Sequence, residues 1–169
     1  MSKFSFRSIF GLALALAATT AAAAGTVSVR YDHPENFTET REVRAFAPMR
    51  ADSGYLDTLK RYIERQAARE LAPGQTLDIV VTDIDRAGSY LPSMGALNPV
   101  RIVRDVYPPR LKMHFRLLDS QGRVIREGER KLTDLGFMYD SPGGLSNTDP
   151  LRYEKRMVDR WLARGPQSL

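Results

Sequence analysis

Leu111-Lys112-Met113-His114-Phe115-Arg116-Leu117 decides the fold. Leu111, Met113, Phe115 and Leu117 alternate with Lys112, His114 and Arg116. A period of two sends one set into a core and the other into water, which is a half-buried strand. Asp119-Ser120-Gln121-Gly122 follows as a turn, and Arg123 to Leu132 returns as the second arm of a hairpin. Gly128 in that arm would face Phe115 if Leu118 pairs with Arg123; a large ring could then cover the bare backbone. A hairpin apolar on one face needs a second layer to cover it, and the flanking sequence is read for that layer.

Upstream, Thr76 to Ile84 is β-branched and alternating, with Leu77, Ile79 and Val81 on one face. Before it, Asp52 to Leu71 carries Tyr55, Leu56, Leu59, Tyr62, Ile63, Ala67 and Leu71 at helical spacing. Asp52 or Ser53 can cap that helix, and Pro73-Gly74 stops it. Thr26 to Tyr31 is a short alternating strand broken by Asp32-His33-Pro34-Glu35-Asn36. Phe37 to Arg50 shows neither period, and Pro48 argues against a helix through its end. Arg86 to Asn98, with Gly88, Pro92 and Gly95, reads as a loop, and Val100 to Tyr107 as a further strand ended by Pro108-Pro109. Downstream, Gly136 to Asn147 is a loop containing Ser141-Pro142-Gly143-Gly144. A last helix starts at Asp149, with Pro150 at its first position, and buries Leu151, Met157, Val158, Trp161 and Leu162 before Gly165-Pro166. The order β-α-β-(β)-β-β-α predicts an α+β fold: a small, mostly antiparallel sheet with two amphipathic helices packed on one face.

The first 24 residues read as a cleaved signal peptide. Lys3 and Arg7 form a positive start, Ile9 to Ala18 an apolar run, and Ala22 and Ala24 fit small-residue cleavage. The run is too short to span a bilayer, which takes about 20 apolar residues. Cleavage after Ala24 leaves a single domain over residues 25–169, long enough to bury a core. The signal holds two basic residues and no acid, so its removal lowers the net charge from +5 to +3. That is a solubility term, not a nucleic-acid footprint, and the same balance gives lipopolysaccharide binding little support. The absence of cysteine removes disulfides, thiolate metal sites, thiol nucleophiles and a lipidated anchor. The expected location is the periplasm, with release beyond it as a variant, and no lasting membrane insertion.

Four separated blocks carry a resemblance. They are Thr82-Asp83-Ile84-Asp85-Arg86-Ala87-Gly88; Val100-Arg101-Ile102-Val103-Arg104-Asp105; Tyr107-Pro108-Pro109-Arg110; and Asp149-Pro150-Leu151-Arg152-Tyr153-Glu154-Lys155 with Trp161. In this order they resemble domain-of-unknown-function family 3016 of Gram-negative bacteria, over nearly all of the mature chain. Arg86, where an apolar residue is usual, and the Gly-rich stretch at Gly143 depart from the pattern. The resemblance implies a small exported protein with no assigned activity. It supports the compartment and the domain count, and supplies no catalytic residue.

Asp83 and Asp85 are the sharpest local feature. In a regular strand they share the face of Leu77, Ile79 and Val81, about 7 Å apart at Cβ. Two carboxylates ending an apolar face must be paired or neutralised. One reading is a Mg²⁺ or Ca²⁺ site, or an acid/base pair, helped by Asp105 or Asp134. The plainer reading places both at the sheet rim, paired with Arg101, Arg104 or Arg110 or accepting backbone N–H bonds. Arginine pairing accounts for both groups at once and is preferred. Asp32-His33-Pro34-Glu35 offers three ligand types in four residues, but its proline fits a plain turn. His114 lies between Lys112 and Arg116 on a polar face, without a serine in a nucleophile elbow; Gly144-Leu145-Ser146-Asn147-Thr148 lacks the second glycine. Tyr153, Met157 and Trp161 share a helix stripe and read as core, unless Trp161 is exposed.

The chain is therefore expected to be a non-catalytic periplasmic binding or adaptor domain for an envelope protein or an acidic ligand. Arg101, Arg104, Tyr107 and Arg110, with Asp83, Asp85 and Asp105, form the candidate contact set. No cofactor and no nucleic-acid partner are expected. The alternative is a divalent-metal-binding protein or metal-assisted hydrolase centred on Asp83 and Asp85.

Overall fold

A computed structural model describes residues 25–46, 54–90, 100–139 and 147–165. Residues 1–24, where a signal peptide is expected, the expected Asp52/Ser53 cap, residues 91–99 and Ser141-Pro142-Gly143-Gly144 lie outside the described residues. The main sheet has four strands: β1 (Thr26–Tyr31), β2 (Thr76–Asp85), β5 (Arg110–Leu118) and β6 (Val124–Thr133), in the order β1-β2-β5-β6. β1 runs parallel to β2, and the other two pairings are antiparallel. A second, two-stranded sheet joins β3 (Ser89–Tyr90) to β4 (Arg101–Ile102). The helices are α1 (Thr38–Phe46), α2 (Gly54–Glu70) and α3 (Arg152–Leu162). This is the expected α+β arrangement, a mixed but mostly antiparallel sheet.

A main core joins the sheet to two of the helices, with Val43 and Tyr90 in a separate small cluster. Leu111, Met113, Phe115 and Leu117 of β5 meet Leu77, Ile79 and Val81 of β2, Val29 of β1, and the stripes of α2 (Leu59, Ile63, Ala67) and α3 (Leu151, Met157, Val158, Trp161, Leu162). α2 and α3 thus cover one face, as the periodicities demand. Trp161 is core. The other face stays in water and is laced by cross-strand pairs such as Arg116–Glu127 at 3.5 Å and His114–Glu129 at 3.8 Å. An antiparallel sheet tolerates one wet face because its alternation supplies polar residues there.

Three local readings change. The hairpin register is Leu118 with Val124, not Arg123, and a bulge between the Leu117 and Leu118 pairings restores Phe115 opposite Gly128. A Cβ added at Gly128 would touch Phe115 Cε1 at 3.5 Å, so the ring covers the bare backbone as expected. The Val100–Tyr107 strand is reduced to Arg101–Ile102; the chain then turns at residues 105–106 toward the buried Pro108 and Pro109. Finally, Thr38–Phe46 is a helix that lacks an apolar stripe because the residues it buries are Glu39 and Val43.

Candidate functional site

The end of β2 is where the acids sit, and their geometry differs from the regular-strand expectation. The register with β5 slips between Val81 and Asp83, so Thr82 is an extra residue and the inward alternation restarts at Ile84. A bulge of one residue swaps the faces of everything after it. Asp83 and Asp85 therefore leave the apolar face and stand opposite Lys112 and Arg110. Asp83 accepts hydrogen bonds from Lys112 Nζ at 2.9 Å, the Thr38 backbone N–H at 2.8 Å and the Thr38 hydroxyl at 3.1 Å. Arg110 holds Asp85 at 2.9 Å. Pairing with Arg110 and acceptance of a backbone N–H were anticipated; Lys112, and Thr38 as the source of that N–H, were not. β1 pairs only with Thr76–Val81, and past that point the first turn of α1 takes its place beside β2.

Asp83 caps α1 across the fold, where a carboxylate also meets the positive end of the helix dipole. Burial alone would raise its carboxyl, but the Thr38 amide, Lys112 and the Thr38 hydroxyl outweigh it and hold the group below the usual carboxylate range. A depressed carboxyl stabilises the fold above its ordinary pKa, and that stability is lost as pH falls through the folded-state value. Asp83→Ala is expected to lower the unfolding free energy by about 1–2 kcal/mol at neutral pH. Urea titrations across the acid range should show the difference from wild type shrinking as pH falls. Asp85 moves the other way, raised by burial despite Arg110. Each acid already carries a cation within 2.9 Å. Among the described residues no group of three His, Asp or Glu side chains is placed to hold a metal ion.

Arg101 turns inward. Its side chain is only 14% exposed and reaches Glu39, itself 1% exposed, at 2.5 Å. The same guanidinium donates to the carbonyls of Arg86, Ala87 and Gly88 at 3.3, 3.2 and 3.0 Å and lies 4.6 Å over the Tyr90 ring. Gly88 has φ +85°, and a Cβ there would meet the Ile102 carbonyl oxygen at 2.6 Å, so the turn needs glycine to approach β4. Arg86, stacked 5.1 Å over Tyr55, donates to the Pro150 carbonyl at 2.9 Å and stands 3.9 Å from Glu39. Glu154 of α3, 2% exposed, accepts the Ala87 N–H at 2.8 Å. Burial raises the carboxyls of both Glu39 and Glu154, with Arg101 and Arg86 opposing. Two acids and two arginines from α1, α3, β4 and the β2–β3 turn thus form one buried polar knot. Neither Glu39 nor Glu154 was singled out in the sequence, and no periodicity marks them.

Arg104, Asp105 and Tyr107 lie on the connection from β4 to β5 and are exposed. They face a second turn, residues 134–139. Val103, Arg104, Asp105, Met138 and Tyr139 line a groove of about 410 Å³ between the two. Both connections are pinned from within. Gly88 N–H donates to the Tyr107 carbonyl at 3.0 Å, and Asp134 N–H to that of Pro109 at 3.4 Å. Arg160 holds the buried Asp134 at 2.7 Å, and the fully buried Phe137 ring packs edge-on against Tyr153 at 5.0 Å. Held this way, the turn presents Leu135 (74% exposed), Met138 and Tyr139 (82% exposed) to solvent, and Val106 is exposed on the facing connection. The structure thus brings Arg104, Asp105 and Tyr107 together, keeps Asp83, Asp85 and Arg110 at the sheet rim, and sends Arg101 into the interior. His33, with φ 50°, sits exposed between Asp32 and Glu35 in a turn ahead of α1.

The model of the family described as Protein of unknown function (DUF3016) matches residues 25–164. Among curated proteins none matches the chain. Among solved structures the chain is similar to a PelC dodecamer from Paraburkholderia phytofirmans, at 16% identity over 93% of this chain and 95% of that one, with a TM-score of 0.31. No described helix is long and apolar enough to cross a membrane.

Proposed function

The chain belongs to the DUF3016 family, which assigns no activity, and from its own geometry we propose that it is an exported periplasmic binding domain without catalytic chemistry. Its partner is an envelope protein. The observation that supports this reading is the pinned pair of loops that set the exposed Met138 and Tyr139 across a groove from Arg104 and Asp105, with Leu135, Val106 and Tyr107 also exposed on them. A folded chain has no internal use for a tyrosine and a leucine held outward by a buried anchor. Rigid exposed aromatics next to arginine are the residues that protein interfaces favour, and holding them in place beforehand lowers the ordering cost of association.

Tagged full-length chain should be crosslinked in intact cells and the trapped proteins identified by mass spectrometry. Chain recovered from the periplasm should begin at Gly25. The expected result is one reproducible envelope protein, lost on Leu135→Asp with Tyr139→Asp and weakened by Arg104→Glu, with unfolding midpoints unchanged. Trapping that ignores all three substitutions would remove this surface from the reading. Arg101 is unsuitable for the test, because reversing its charge strikes the interior.

A further inference from the structure

The two edges of the main sheet end differently. At β1 the Val29 N–H donates to Glu64 Oε1 of α2 at 3.2 Å and the Tyr31 hydroxyl to the Leu56 carbonyl at 2.6 Å, so α2 covers that edge. β6 pairs with β5 alone among the described strands. The Asp134 N–H donates to the Pro109 carbonyl at 3.4 Å, which fixes the alternation of the ladder. Arg126, Gly128, Arg130 and Leu132 then bond to β5, and the amides and carbonyls of Glu127, Glu129, Lys131 and Thr133 point outward. Of these, the Glu129 carbonyl accepts from the Arg130 guanidinium at 2.7 Å. Such a row of outward backbone groups is a template for another strand.

Beside this edge, between the end of β6 and the last turns of α3, lies a cavity of about 160 Å³. Leu132, Thr133, Met157, Arg160, Trp161 and Arg164 line it, and no residue of β5 does, so it lies on the outer side of the strand. The buried Met157 and Trp161 and the half-buried Leu132 give it an apolar wall. An apolar cavity of about 150 Å³ holds a benzene molecule, so this one has room for one apolar side chain. On the wet face, Glu127 and Glu129 stand against Arg116 and His114, but Lys131 stands opposite Lys112, which Asp83 already holds at 2.9 Å. Like charges directly opposite each other weaken a sheet, and an acid from a further strand would relieve this pair.

We propose that the β6 edge takes up an extended segment of a partner protein as a fifth strand, with an acidic residue beside Lys131 and the adjacent apolar side chain in the cavity. Strand addition draws affinity from main-chain bonds and specificity from pockets of this kind. Neighbouring residues of a strand face opposite sides, so one acidic–apolar pair serves both positions. A second copy of this chain does not fit. The two symmetric antiparallel registers that bring a glutamate to Lys131 set Leu132 against Arg126 or Gly128, and their axes set Glu129 or Arg130 against itself. This edge is separate from the loop surface and does not rest on it.

The probe is a short capped peptide of alternating threonine and serine with a Glu-Leu pair at its centre, added to the full chain. It is expected to slow exchange of the Glu127, Glu129, Lys131 and Thr133 amides by about tenfold or more and to shift the emission of Trp161. Serine in place of its leucine, or N-methylation of its alternate amides, should abolish both signals. Lys131→Glu should weaken the Glu-Leu peptide about fivefold and strengthen a Lys-Leu peptide by a similar factor. Glu129→Pro removes an amide that β5 does not use and should abolish binding; if that variant does not fold, the exposed Lys131→Glu decides. Leu135→Asp with Tyr139→Asp should bind as wild type. The inference is overturned if the peptide protects none of the four amides, if the N-methylated peptide binds equally, or if Lys131→Glu does not discriminate between the two charges. It is also overturned if the loop substitutions abolish binding, or if the four amides are already protected in a self-associated chain.

Discussion

Arg101→Lys is expected to destabilise the protein by about 3–4 kcal/mol although it keeps the positive charge. The Arg101 guanidinium shares one amino group among the carbonyls of Arg86, Ala87 and Gly88 and offers the other to Glu39. Its plane also rests on the Tyr90 ring. An ammonium cannot reach both sides of that arrangement or stack flat on the ring. Lysine would leave either Glu39 or the three carbonyls without their donor in a site closed to water. Leaving one member of a buried ion pair unmatched typically costs about 3–5 kcal/mol. Urea denaturation monitored through Trp161 fluorescence measures the loss, and amide exchange should rise first at residues 86–90. A lysine variant within about 1 kcal/mol of wild type would show that the clasp contributes little.

Glu154→Ala is expected to cost about 2–4 kcal/mol, and the cost should depend on pH in a definite direction. The Glu154 carboxylate accepts the Ala87 N–H and so ties α3 to the turn that Arg101 clasps. Alanine leaves that buried donor unmet and opens a void under α3. Burial raises the Glu154 carboxyl above its ordinary value, more than Arg86 and Arg101 pull it down. A group whose folded pKa is raised binds its proton more tightly in the native state. Its contribution is then most favourable below the ordinary carboxylate value and declines as pH rises through the folded-state value. The difference between wild type and Glu154→Ala should therefore be larger near about pH 4 than near about pH 8. A difference that grows toward high pH would mean that the two arginines, not desolvation, set the state of this carboxyl.

Much of this fold is written in local pattern. Alternation marked Leu111–Leu117, the hairpin and the outer strands, and helical spacing marked α2 and the buried stripe of α3. These signals survive because each apolar face meets one common core. The α1 helix escaped for the opposite reason: what it turns inward is Glu39 and Val43, and a buried acid leaves no hydrophobic period to read. Of the candidate contact set, Arg104, Asp105 and Tyr107 are exposed on one loop, while Arg101 is a structural clasp. No spacing rule distinguishes an arginine that faces solvent from one that faces Glu39, sixty-two positions away.

By itself the sequence determined the α+β class, the strands of the main sheet, the two apolar helices and the family, because these rest on short periods and on residue blocks that lie in order along the chain. Only the tertiary structure decided the rest. One bulged residue at Thr82 moved Asp83 and Asp85 off the apolar face and onto Lys112 and Arg110. Glu39, Arg86, Arg101 and Glu154 became one knot, and Met138 and Tyr139 came to stand across a groove from Arg104. Such placements depend on register and on contacts between distant segments. A single slipped residue reverses which side chains are buried, and no local pattern records the slip.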